Sequence, residues 1–197
     1  SRENAATKQE EAITAILFSA AAVEAFVNEL THACQEKVVP GKTEKKFVAF
    51  AWGMKAAEDS NSSTKSKVEL AHLMLTGMPP ERGEAPLSEY ATLYGLRNDI
   101  MHVKNPSTIA ISSRVKSSHL PTRVKTLLDG KIASETSGIK HTHWLECLMT
   151  LKVAEWSVRT AAENCRYIAE KVPDEQISGR FAEYIRLAIG GLGCEEN

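Results

Sequence analysis

Apolar residues recur every three or four positions over most of the chain, the spacing that lays one face of an α-helix against a core. Ile13, Leu17, Ala20, Val23, Val27, Leu30 and Cys34 predict a first helix from Lys8 to Val38, closed by Pro40 and Gly41. A second helix is expected from about Thr43 to Glu58. The polar run Asp59-Ser60-Asn61-Ser62-Ser63 separates it from a third at about Lys65 to Thr76. Met78 to Pro86, rich in Pro, Gly and charge, is a loop. Leu87 to Val103 makes a fourth helix, with Leu87, Tyr90, Leu93, Leu96, Ile100 and Val103 on one side and Asn105-Pro106 as its stop.

Residues 107–138 are rich in Ser, Thr, Gly and charge, with at most a short helix near Thr122 to Leu128. A mobile basic insertion is expected at about 104–138. Leu148, Leu151, Val158, Ala162, Cys165, Ala169 and Val172 then predict one long core helix from about Ile139 to Val172, ended by Pro173. Glu175 to Ile189 forms a last helix before Gly190-Gly191. No strand-like alternation flanked by turn signals is present, so the expected fold is all-α: one antiparallel bundle of about five to six helices spanning residues 1–197.

Composition narrows the function. The 197 residues carry 24 Lys and Arg against 25 Asp and Glu, so any anion-binding surface must be local. Ala12 to Val27, the longest apolar stretch, is interrupted by Ser19 and Glu24 and is expected to fall short of a membrane span. Cys34, Cys147, Cys165 and Cys194 form no Cys-x-x-Cys pair and suit free thiols in a reducing cytoplasm. His141, His143 and Glu146 are expected to be solvent-facing rather than metal ligands. His32 and His72 are expected at boundaries or on the surface. Trp52, Trp144 and Trp156 are expected as core or dimer-interface anchors.

The concentrated chemistry is Arg97-Asn98-Asp99-Ile100-Met101-His102. Asn98 and His102, four apart, share a flank of the fourth helix, whereas Arg97 falls within its apolar arc and needs an anion. Glu24, placed in the stripe of Ile13 and Leu17, is the expected partner in an ion pair between the first and fourth helices. Gly95, in a helix interior, implies close approach by another helix. Arg97, Lys104, Arg114, Lys116, Arg123 and Lys125 face only Asp99 as an acid between 97 and 125, a basic track suited to a phosphate backbone.

Arg-Asn-x-x-x-His near a helix end, with the run Ala20 to Leu30 (Ala-Ala-Ala-Val-Glu-Ala-Phe-Val-Asn-Glu-Leu) in the first helix, resembles the HEPN superfamily of helical domains. Many of its members are metal-independent ribonucleases of toxin, abortive-infection and other defence systems. The resemblance implies catalytic Arg97 and His102, a supporting Asn98, no cofactor, and two motifs meeting across a homodimer. Histidine titrates near neutrality and arginine is a permanent forked phosphate clamp, so two histidines facing each other supply base and acid for cleavage to a 2′,3′-cyclic phosphate. Glu24 and Asp99 are supporting residues in this scheme, and an antitoxin or other regulatory protein is a further implied partner. Lys104 stands where some family toxins carry a modifiable Tyr, which leaves that regulation without its acceptor. The competing class is a non-catalytic HEPN-type module for binding nucleotides or a partner protein.

Overall fold

The computed structural model describes residues 2–81, 83–102, 121–133 and 144–190. They are all-helical as expected, with seven α-helices and no strand among the described residues: α1 (Arg2–Glu36), α2 (Lys45–Asp59), α3 (Thr64–Thr76), α4 (Leu87–Met101), α5 (Thr122–Asp129), α6 (Leu151–Ala169) and α7 (Glu175–Gly190). A 3-10 helix, Trp144–Leu148, precedes α6.

The termini of these helices follow local chemistry. Ser63 caps α3 by accepting the Ser66 amide at 3.1 Å, and Gly77 ends it at φ 77°, a left-handed position where glycine carries no Cβ penalty. Asp174 Oδ1 accepts the amides of Gln176 and Ile177, each at 3.0 Å, and starts α7. The long helix expected from Ile139 to Val172 is instead broken. Thr150 Oγ1 accepts the Val153 amide at 3.2 Å, a cap that starts α6 afresh behind the 3-10 turn.

Along α1 the buried face is Ala12, Ile16, Ser19, Val23, Val27, Leu30 and Cys34. That series advances at almost the α-helical period, whereas Ile13 and Leu17 lie one residue out of phase and are only half-buried. Glu24 follows the wrong phase. It sits about 100° round from Val23 and is exposed, so it is not the buried carboxylate that would need Arg97 as a partner. The 26-residue segment Glu11–Glu36 is long and apolar enough to cross a membrane by length and composition, contrary to the expectation from Ala12 to Val27. A third of that stretch is buried within the protein.

The chain divides into two compact units, one of Ser1–Ala20 with Thr92–Val158 and the other of Ala21–Ala91 with Arg159–Asn197. In the first, Ala12, Ile16, Leu93, Leu96, Val124, Leu127, Leu148, Val153 and Trp156 are buried, and α5 packs against the 3-10 helix. The short helix expected near Thr122 to Leu128 is α5, with Val124 and Leu127 buried. In the second, α2 packs on α3 through Phe47, Phe50, Met54, Val68, Ala71 and Leu75. Trp52 lies off that face and is 62% exposed, so it is no core anchor, whereas Trp156 is buried as expected.

Candidate functional site

The motif occupies the last turns of α4, in the first unit. The His102 amide donates to the Asn98 carbonyl at 2.9 Å, so helical geometry runs through the histidine and fixes the relative azimuths of the motif. Gly95, Asn98, Asp99 and His102 fall within an arc of roughly 100°, and Arg97 lies roughly 140° round from His102. His102 is exposed, beside Met101 at 57% exposure, and Arg97, Asn98, Asp99 and Ile100 are half-buried. Arg97 Nη1 donates to Asn98 Oδ1 at 2.9 Å. The guanidinium is therefore drawn towards the His102 flank through Asn98, a neutral acceptor in place of the expected carboxylate.

Gly95 is buried because α5 sends a side chain across it. A Cβ at this position would overlap Arg123 from Cδ to Cζ. The close approach read from Gly95 is real, but a guanidinium makes it rather than a helix backbone. Beyond Gly95, Arg123 Nη1 donates to Asp99 Oδ2 at 2.9 Å. Arg123, expected on a free basic track, is thus tied to the one acid of that stretch. Asp99 seats Arg123 rather than supporting Arg97 directly. Lys125 is half-buried on α5. Lys104, Arg114, Lys116, His141, His143 and Cys194 lie outside the described residues.

The second unit holds polar groups that periodicity did not expose. His72, expected at a boundary or on the surface, is buried on α3. Its Nδ1 lies 2.9 Å from the Tyr167 hydroxyl, and the rings stack with centroids 5.6 Å apart. Lys171 Nζ sits over the Tyr167 ring, 4.5 Å from its centroid. Burial, then the charge of Lys171, holds the His72 pKa below its ordinary value, with Glu84 opposing. Burial chiefly, with Glu84 adding to it, raises that of Tyr167. Lys67 is buried with its ammonium on Asn28 Oδ1 at 2.9 Å. His32 is exposed, 3.8 Å from Glu36, as a surface histidine should be. Cys34 and Cys165 are free thiols. Burial pushes Cys165 up to about 12, and burial with the Asp174 charge pushes Cys34 up to about 12. A shallow open groove on this unit is lined by Gly41, Thr43, Lys45, Val48, Ala49 and Trp52.

No family model matches the chain, and no curated protein and no solved structure is significantly similar to it. Among the described residues, no three His, Cys, Asp or Glu side chains cluster as metal ligands would.

Proposed function

We propose that this chain is a HEPN-like, metal-independent endoribonuclease of toxin or defence type, acting in the cytoplasm as a homodimer and leaving 2′,3′-cyclic phosphate ends. The observation that supports it most is the link Arg97 to Asn98 to His102. Asn98 takes the Arg97 guanidinium on its side chain and the His102 amide on its carbonyl, so one residue relates the cation to an exposed imidazole.

In this reading His102 moves the proton, Arg97 holds charge on the phosphate, and Asn98 positions both. In-line attack of the ribose 2′-oxygen on phosphorus needs a base for the 2′-hydroxyl and an acid for the departing 5′-oxygen. A single His102 supplies one of these at a time, and two protomers supply both. Lys104, Arg114, Lys116 and Lys125 would contact the RNA backbone, and a regulatory antitoxin would act by blocking access to His102.

A second reading, a non-catalytic module that binds nucleotides or a protein, is favoured by Arg97 being half-buried and already occupied by its neighbour. Wild type and His102→Ala, incubated with structured and single-stranded RNA in EDTA, separate the two. Cleavage by wild type that falls by about 10²-fold or more in the variant is expected for general acid/base loss. Equal cleavage by both proteins overturns the enzyme reading, and RNA binding without cleavage by either supports the module.

A further inference from the structure

We propose that Arg123 is a second phosphate-binding group of the His102 face, seated by the notch at Gly95 and held in place by Asp99, and that it grips the phosphodiester backbone of bound RNA beside the histidine. The inference rests on the reading that this face handles RNA, and it adds a residue that lies outside the motif.

Three observations converge on it. Gly95, Asp99 and His102 succeed one another at intervals of four and three residues, so they form one stripe along α4. Arg123 lies across the first two of these, its stem over Gly95 and its Nη1 on Asp99, and its guanidinium is thereby directed onto the stripe that ends at His102. The side chain also remains 46% exposed. A guanidinium presents five N–H donors in a planar fork, and the bond to Asp99 uses one edge, which leaves donors for a phosphate approaching from solvent. A helix that needed only an ion pair to hold α5 would have no use for a glycine beneath it. The glycine weakens α4 and is explained by the space the guanidinium occupies.

Asp99 acts through Arg123 and is a positioning residue. It fixes the cation where a flexible Lys or Arg would sample many rotamers, so a phosphate meets a group already oriented. Arg97 and Arg123 then reach the His102 flank from opposite sides, the first through Asn98 and the second along Asp99.

The test is binding of a fluorescently labelled single-stranded oligoribonucleotide by anisotropy, at low salt with EDTA, in a His102→Ala background so that the probe stays intact. Gly95→Ala is the decisive variant: it keeps every charge, favours the helix, and pushes only the mobile end of Arg123 off its seat. Gly95→Ala and Arg123→Ala should each weaken binding about tenfold or more. Arg123→Lys should fall between them and the parent, and Lys152→Ala, an exposed cation of the same unit, should change it less than twofold. Thermal unfolding followed by circular dichroism identifies any variant that has lost its fold, and in that case Gly95→Ala alone decides. Parental affinity in Gly95→Ala, equal losses in Arg123→Ala and Lys152→Ala, or no binding by the parent overturns the proposal. Arg123-dependent binding by a protein that cleaves nothing with His102 restored leaves the phosphate subsite standing and removes the ribonuclease reading instead.

Discussion

Replacing Asn164 with Leu is expected to stabilise the protein. Ser157, Thr160 and Asn164 form a polar row on α6 that is fully buried. Ser157 satisfies its hydroxyl on the Ala154 carbonyl at 2.7 Å, and Thr160 donates to Glu89 Oε2 at 3.3 Å. Asn164 has neither amide atom paired. An unsatisfied buried polar group costs about 1 to 3 kcal/mol. Leu has the same branch point and the same number of side-chain heavy atoms, so most of that cost is recovered with little change in volume, and Leu is also the better helix former by a few tenths of a kcal/mol. The tetrahedral methyls crowd a site shaped for a planar amide and return about 1 kcal/mol. A net gain of about 0 to 2 kcal/mol remains, which for a chain of this size raises the Tm by up to roughly 8 °C. Urea titration with a shared m-value and calorimetry give the two numbers independently. A loss of more than about 1 kcal/mol refutes the reasoning, because it would mean that the amide makes bonds worth more than its desolvation.

Other expectations follow from the same geometry. The depressed pKa of His72 means that the folded state prefers the neutral ring, so stability present above the ordinary value of 6.5 is lost as the pH falls below it. Urea midpoints of His72→Phe measured from pH 8 to 5 should lack the wild-type drop that begins near that value, and parallel curves for the two proteins would contradict this. Cys34 and Cys165, raised from 9.0 to about 12, cost nothing below pH 9 and destabilise the fold above it, by up to about 1.4 kcal/mol per pH unit for each thiol. Both should resist alkylation at pH 8 until the protein is unfolded, and rapid labelling of the native protein at either position would be inconsistent with their burial. In subunit-mixing experiments, activity should fall as the square of the wild-type fraction when His102→Ala chains are exchanged in, whereas a linear fall would show that each histidine works alone.

Local periodicity carried the existence and ends of α2, α3, α4, α5 and α7 to within a few residues, because each is bounded by its own capping or turn chemistry. It failed where two phases competed. In α1, bulky Ile13 and Leu17 attract attention, yet Ala12 and Ile16 continue the face of Val23 and Val27, and that single-residue slip misplaced Glu24. It also failed at Thr150, whose side chain offers the backbone a cap that an apolar repeat does not register. The motif on α4 was legible because its members are neighbours in sequence. The contact of Arg123 with Gly95 and Asp99 spans more than twenty residues, and that of His72 with Tyr167 spans 95, so neither leaves a spacing to read. Gly95 was the available sign that something crosses α4, and only the structure identified the side chain.

The most direct test of the central claim is the mass of RNA fragments produced in EDTA by wild type and by His102→Ala. Fragments ending in 2′,3′-cyclic phosphate from the wild type, and intact RNA from the variant, are predicted. Fragments with 3′-hydroxyl ends, or the same products from both proteins, would contradict it.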